Sequence, residues 1–222
     1  MVLAARRASE LEAQAARIAE AGYQAVAIPT DVTDAAQVTR LARQTLERFE
    51  RIDVLVNNAG IAWTKPFETI PIEKVAQVVN VNLLGVALLT REVLPGMLER
   101  GHGSIISVAS VAAYMPVDPL YSATKSGVRA FSLSLRRELA GRGVSVSVVS
   151  PGFIRTAMSR NFRLPMPGPE LVARKIADLV CRPRREVVVP GFYRLVIGAE
   201  NAFPWLADVA IRMSRPRIEG KK

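Results

Sequence analysis

Four side chains in this 222-residue sequence have types and spacing suited to moving a proton: Tyr121, Lys125, Ser110 and Asn82. Tyr121 and Lys125 stand four residues apart behind Asp118-Pro119. An Asp cap with Pro in the first turn is a good helix start. At that spacing the two side chains share one helical face. A free phenol titrates near about 10, too high to trade protons readily at neutral pH. An ammonium about 4 Å away is worth ~4 kcal/mol at an effective dielectric of ~20. At ~1.4 kcal/mol per unit, that lowers a phenol pKa by about three units. The pair is therefore chemically capable of general acid–base work. Taken alone, the same spacing also describes an ordinary helix surface.

Ser110 closes a strand just ahead of that helix. Its hydroxyl can hold a substrate oxygen beside Tyr121, or it can bond its own backbone. Asn82 lies in mid-helix between apolar neighbours, so its amide needs a partner. It is either a plain buried polar group or the holder of a water next to Lys125.

The elements that position these residues alternate along the chain. Strands are expected at 2–5, 24–28, 52–56, 104–108, 144–149 and 186–189. Helices are expected at 9–20, 35–49, 71–98, 119–140 and 169–180. The strands are apolar on both faces, as strands are when helices bury them from both sides. The fold class is therefore α/β, a doubly wound parallel sheet. Residues 1–190 read as one domain and 191–222 as an apolar and basic tail. Ligands of such sheets bind at the carboxyl ends of the strands. There the sequence places Arg6-Arg7, Asp31-Val32, Asn57-Asn58-Ala59-Gly60, Ser110 and Pro151-Gly152. Small and polar residues in series make a shallow crevice for a flat ligand.

Composition narrows the function classes. Cys181 and His102 are the only residues of their types, which excludes an internal disulfide and a histidine-based metal cluster. An intracellular, cytoplasmic protein without a metal is expected. No apolar run approaches the ~20 residues of a membrane span. The net charge is +10. A basic surface attracts phosphates, nucleic acid or acidic lipid. No basic cluster is interleaved with aromatics, so nucleic acid is not an expected partner.

Taken together, Asp31-Val32, Asn57-Asn58-Ala59-Gly60, Asn82, Ser110, Tyr121-Ser122-Ala123-Thr124-Lys125 and Pro151-Gly152 with Thr156 closely resemble the short-chain dehydrogenases/reductases of the compact, single-domain, Rossmann-like type. The resemblance runs from about Leu3 to Thr156, and more loosely to Val189. It implies that Tyr121 is the general acid/base and that Lys125 lowers its pKa and holds the nicotinamide ribose. It implies that Ser110 orients the substrate oxygen and Asn82 positions a relay water. Asp31 and Val32 would contact adenine, with Asn58, Ala59 and Gly60 lining the pocket. Pro151-Gly152 would precede the Ile154 backbone and Thr156, which hold the carboxamide. Arg6 and Arg7 stand where an acidic residue would bind a ribose 2′-hydroxyl. A guanidinium suits a 2′-phosphate, so NADP(H) is expected over NAD(H); the arginines also read as solvated loop charges. The activity implied is carbonyl/secondary-alcohol interconversion on a small hydrophobic substrate, by a dimer or tetramer.

The sequence departs from the family pattern in two places. It lacks a strand and a glycine-rich turn of TGxxxGxG type, and the first glycine is Gly22. The pyrophosphate cradle and a central strand, about one βα unit, are thus expected to be missing at the N-terminus. The rival reading is a fragment or paralogue that binds no dinucleotide and acts as an interaction subunit. The Ser110–Tyr121 interval is also short, and Ser107 is an alternative that falls inside the strand. Pocket residues are expected at 111–117 and 157–168. In the tail, Phe192, Tyr193, 195–197, Phe203, Trp205, Leu206, Val209 and 211–213 are largely apolar. From 182 to 222, nine basic residues outnumber four acidic ones. The simpler reading is that this tail covers the substrate pocket or a subunit interface. The sharper one is a basic amphipathic helix in peripheral contact with an anionic membrane.

Overall fold

The Val-Ser alternation of the fifth strand sets the layering of the molecule. The structure is a computed structural model that describes residues 1–63, 65–116, 118–156, 158–159, 166–205 and 208–209. In β5 (Val144–Pro151), the side chains of Val144, Val146 and Val148 face one side with Ile105 of β4 (Gly103–Val108). They meet Val86, Val93 and Met97 of α4 (Gly85–Glu99) and Val128, Leu133 and Leu135 of α5 (Pro119–Glu138). Ile106 and Val149 face the opposite side. There they meet Leu179 of α6 (Glu170–Cys181) and Val189 of β6 (Glu186–Val189). A period of two in each strand thus serves two helical layers.

All strand pairs are parallel, and they form two sheets. One has the order β3-β4-β5-β6, with β3 at Val54–Asn57. The other pairs β1 (Val2–Ala5) with β2 (Val26–Pro29) and carries α1 (Ala8–Glu20). β1 and β3 do not pair, so the doubly wound sheet is interrupted between them. The second sheet is tied to the first through α2 (Ala35–Phe49), which packs on α4. The β2 end is tied there too: Val32 presses on Gly85, where a Cβ would come within 2.8 Å of Val32 Cγ2.

Two sequence expectations need correction. β3 is not buried on both faces. Leu55 joins the core under α4, whereas Val54 and Val56 point the other way and stay 36% and 39% exposed. The second concerns membrane spans. The continuous helical stretch Ile72–Glu99 is long and apolar enough to cross a membrane by length and composition alone, with a mean hydropathy of 1.4 over its most apolar 18 residues. Its apolar residues are interrupted by Gln77, Asn80 and Asn82, so no unbroken run announces them. Val86, Val93 and Met97 of that stretch lie in the protein's own core. The stretch is not one regular helix: α3 (Ile72–Val79) passes into a π turn at Asn80–Leu84 before α4.

Helix ends follow the expected chemistry. Asp34 caps α2 by accepting from the amides of Ala36 and Gln37, and Asp118 caps α5 by accepting from Tyr121 N at 2.8 Å. The tail contains α7 (Tyr193–Ala202), where the sequence offered a helix only as the sharper of two readings.

Two glycines near the entry to β5 differ in what they tolerate. Gly143 has φ +77°, and a Cβ there would lie 1.9 Å from the Gly101 carbonyl oxygen. Gly141 has φ +79° with open space around it. Gly143→Ala combines left-handed strain with a backbone collision and is expected to cost about 3 kcal/mol or more, whereas Gly141→Ala costs about 1 kcal/mol. Urea unfolding of the two variants measures the difference.

Candidate active site

The site begins with a widened turn of helix. At Asn80–Leu84 the backbone adopts π geometry, a distortion found often at functional sites. Asn82 lies within it, fully buried. Its Oδ1 accepts from Ile61 N at 2.8 Å, while its Nδ2 donates to Ile61 O at 2.9 Å and to Thr124 Oγ1 at 3.0 Å. Both polar groups of Ile61 are thereby held, and with them the loop that follows Asn57-Asn58-Ala59-Gly60. Asn57 anchors the other end of that loop, donating to Thr90 Oγ1 of α4 at 3.1 Å. Thr124 in turn donates to Tyr121 O at 2.8 Å, so the amide of Asn82 is linked to the turn of α5 that carries the phenol.

Lys125 is the second fixed point. It is 4% exposed, and its Nζ donates to Val108 O at 2.7 Å. Gly60 stands against it: a Cβ at that position would lie 3.3 Å from Nζ and 3.6 Å from Asn82 Oδ1. The glycine therefore lets the loop approach the ammonium. Burial pushes the Lys125 pKa down to about 8.

Ser110 closes β4 and faces the phenol. Its hydroxyl hydrogen-bonds Tyr121, reaches Pro151 O at 3.4 Å, and accepts from Ala112 N at 3.1 Å. The structure thus favours Ser110 over Ser107, which is buried inside β4 with an unpartnered hydroxyl. The hydroxyl of Ser110 thus bonds backbone and reaches the phenol at the same time.

Tyr121 departs from expectation. Burial raises its pKa above the ordinary phenol range; the Ser110 hydrogen bond works against this, and the Asp118 carboxylate adds to it. Lys125 Nζ sits 5.8 Å from the centre of the tyrosine ring. The expected lowering by an ammonium at about 4 Å is absent: Nζ is held against Val108 O, and no lowering by Lys125 accompanies the burial that raises the phenol.

The crevice floor is built by the turn after β5. Gly152 N donates to Val189 O at 2.7 Å. Ser159, which sequence reasoning missed, organises the next residues. Its hydroxyl donates to Ile154 O at 2.6 Å and accepts from Thr156 N at 2.8 Å. Thr124 was also missed as a site residue, although its place one turn beyond Tyr121 was the available signal. Beyond Ser110, Tyr114 stacks under the Arg129 guanidinium at 4.4 Å. Arg129 pairs with Glu186, which also accepts from Ser150 Oγ at 2.8 Å.

The other sheet contributes Arg6, Arg7, Asp31 and Val32 at its own strand ends. Asp31 Oδ1 accepts from Thr33 N at 2.9 Å and Thr33 Oγ1 at 2.8 Å, which holds its carboxyl below the usual range; nearby Arg6 adds to this. Arg7 is engaged by Glu10 at 2.7 Å. Arg6 is exposed and has no ion pair among the described residues. Val32 is buried against Gly85, so of the expected adenine contacts only Asp31 keeps a partly exposed side chain. The expected pocket loops at 111–117 and 157–168 lie partly outside the described residues, and the tail from 210 onward lies wholly outside them.

The buried lysine predicts a pH dependence. A lysine whose folded pKa is depressed favours the folded state above its unfolded pKa of about 10.4, and the advantage is lost as pH falls toward about 8. Between pH 8 and 10 the native protein should gain about 2 kcal/mol relative to Lys125→Met. Urea unfolding of both proteins at the two pH values reads this difference.

The chain was compared with known proteins. The family model described as short chain dehydrogenase matches residues 1–166. The chain is similar to the ketoacyl reductase HetN of Nostoc sp., 35% identical over 198 residues that cover 85% of this chain and 69% of that protein. It is similar to a 3-oxoacyl-[acyl-carrier-protein] reductase of Synechocystis sp., 42% identical over 71% of this chain and 64% of that protein. It also resembles an acetoacetyl-CoA reductase of Allochromatium vinosum, 40% identical over 65% of this chain and 59% of that protein. Its aligned part thus spans about six- to seven-tenths of the length of these relatives. Among solved structures, a gluconate 5-dehydrogenase from Burkholderia cenocepacia, in complex with NADP and tartrate, superposes with a TM-score of 0.76 at 26% identity, covering 86% of this chain and 84% of that one. With parallel α/β architecture, the Asn82, Ser110, Tyr121 and Lys125 cluster, and a family match over three-quarters of its length, the chain belongs to the short-chain dehydrogenase/reductase family of NAD(P)-dependent oxidoreductases.

Proposed function

We propose that this protein catalyses NADP(H)-dependent interconversion of a carbonyl and a secondary alcohol on a small apolar substrate, with Tyr121 as the general acid/base. The observation that carries this reading is the shared cluster in which Ser110 bonds the Tyr121 phenol and Thr124 links the Tyr121 backbone to Asn82, with buried Lys125 beneath. When bound, the nicotinamide supplies or accepts the hydride at the carbonyl carbon.

The protein's own groups handle the oxygen. In reduction, the Tyr121 hydroxyl gives its proton to the carbonyl oxygen as negative charge develops there, and the Ser110 hydroxyl donates to the same oxygen. A phenol held above its ordinary range is protonated at neutral pH, as an acid must be. Lys125 has three N–H donors and gives one to Val108, which leaves two for ribose hydroxyls. Gly60 keeps the approach to that ammonium free of a side chain. Asn82, its hydrogen bonds spent on Ile61 and Thr124, would act by holding the loop that borders the relay. Thr156 and the Ile154 backbone would hold the carboxamide on the turn that Ser159 organises. Asn58, Ala59 and Asp31 would border the adenine half. Arg6, without an ion pair among the described residues and near Asp31, is the candidate for a ribose 2′-phosphate, with Arg7 occupied by Glu10. The NADP of the Burkholderia structure supports this cofactor choice. The reductases of oxoacyl and acetoacetyl thioesters among the relatives support a β-keto acyl group, the small apolar part of such a thioester, as what the site receives.

A homo-oligomer belongs to the same reading. Ile72, Val79 and Leu84 leave an apolar face exposed along α3 and the π turn, which a second copy would cover.

Two assays test the proposal. With acetoacetyl-CoA and NADPH, Tyr121→Phe should lower kcat by about a thousandfold with the fold intact by circular dichroism. Turnover at the native level in that variant would overturn the assignment. Arg6→Ala should raise KM for NADPH by about tenfold or more and leave NADH unaffected, whereas Arg7→Ala changes neither much. Equal effects on both cofactors would remove the 2′-phosphate role.

A further inference from the structure

Glu186 opens β6 opposite Val148 of β5, and its side chain is only 12% exposed. A carboxylate so placed stays charged only with a cation and hydrogen bonds around it. Arg129 Nε lies 3.2 Å from Oε1 and 3.1 Å from Oε2, and Ser150 Oγ donates to Oε1 at 2.8 Å. The Tyr114 hydroxyl bonds the same carboxylate and the same guanidinium, and its ring lies 4.4 Å from that guanidinium. Such a cluster is weak evidence for stability, because an apolar set of similar volume often holds a fold as well. What it supplies is direction: charge-assisted bonds and a stacked planar cation fix orientation.

That direction bears on the site because both ends of the cluster lead to Ser110. Tyr114 directly follows the short turn Val111–Ala113, which Ser110 caps by accepting from Ala112 N at 3.1 Å. α5 grips the turn again, with Ser126 Oγ donating to Ala113 O at 3.2 Å. At the other end Ser150 precedes Pro151, whose carbonyl accepts from the Ser110 hydroxyl at 3.4 Å. Ser110, Tyr114, Arg129, Glu186, Ser150 and Pro151 thus close a ring. A ring holds each member from two sides, whereas an open chain of contacts leaves its last member free on one. Arg129 also follows Tyr121 and Lys125 at the same four-residue spacing on α5, so the ring is tied to the helix that carries the phenol. We propose that Arg129 and Glu186 are positioning residues that set the Ser110 hydroxyl against Tyr121, with Tyr114 as the link that transmits their hold. The consequence for catalysis rests on the reaction proposed above, in which Ser110 holds the substrate oxygen; the positioning itself does not.

Hydrogen–deuterium exchange on the full chain reads the position without reading activity. The amides of Ala112, Ala113 and Tyr114 bond Ser110 and Val111 within the turn. Arg129→Met should speed their exchange about tenfold and leave the Ile105 and Ile106 amides of β4 unchanged. Tyr114→Ala removes the link and leaves the ion pair; it should do the same, and it keeps the test open if Arg129→Met misfolds. Equal acceleration in the turn and in β4 for both variants, or none in the turn, would overturn the proposal. With acetoacetyl-CoA and NADPH, Arg129→Met should lower kcat about tenfold at unchanged KM for NADPH, and should lower it no further in a Ser110→Ala background. The same tenfold fall in that background would assign Arg129 to the stability of the fold and reject the positioning role. Absence of turnover in the native protein would instead defeat the reaction proposed above, and the exchange result then decides the positioning by itself.

Discussion

The amide of Asn82 has no access to water, and each of its hydrogen bonds is spent inside the protein. It binds both polar groups of Ile61 on one side and the Thr124 hydroxyl on the other. The loop after β3, the turn between α3 and α4, and the first turns of α5 therefore meet at one side chain. Leaving a buried amide unpaired costs about 1–3 kcal/mol for each lost partner, so these elements move together or not at all. The π turn is the local consequence: a regular helix would rotate this side chain out of its place, and the bonds Asn82 makes offset the distortion.

Around that joint, electrostatics are set by burial more than by charge pairing. Lys125 is enclosed, and burial holds its pKa down to about 8 even though its Nζ donates a hydrogen bond to Val108 O. Tyr121 is held up for the same reason, with Ser110 opposing and Asp118 reinforcing. Burial thus moves the two groups in opposite directions, the phenol up and the ammonium down, and parts their pKa values. Asp118 plays two parts, capping α5 and raising the phenol it caps. An acid that stays protonated at neutral pH suits the reductive direction.

The second sheet is coupled to this centre by packing. Val32 lies where any side chain on Gly85 would have to be, immediately after the π turn. The close approach brings the end of β2, with Asp31 and Arg6 nearby, into a fixed relation with the helix that carries Asn82. On the far side, Gly152 plays the corresponding part toward Tyr193 and α7. Glycines at these two places let the crevice walls close on their supports.

By itself, the sequence determined the α/β class, the order of strands and helices, and the residues that gather at the strand ends. These follow from period and type: two-residue alternation in β5, an Asp-Pro helix start before Tyr121, and Asn82 isolated among apolar neighbours. What it left open was decided by tertiary contacts. Ser110, beyond the strand, reaches Pro151 and the phenol, whereas Ser107 inside β4 is buried with its hydroxyl unpartnered. Arg6 and Arg7 are neighbours of one type, and only space showed Arg7 paired with Glu10. Ser159 acts through the nearby backbone of Ile154 and Thr156, and Thr124 takes a hydrogen bond from the Asn82 amide 42 residues away in the chain, a contact between elements that only the fold creates. The pKa of Tyr121 reversed its expected direction because burial depends on everything packed around a group, whereas helical spacing describes only its nearest neighbour.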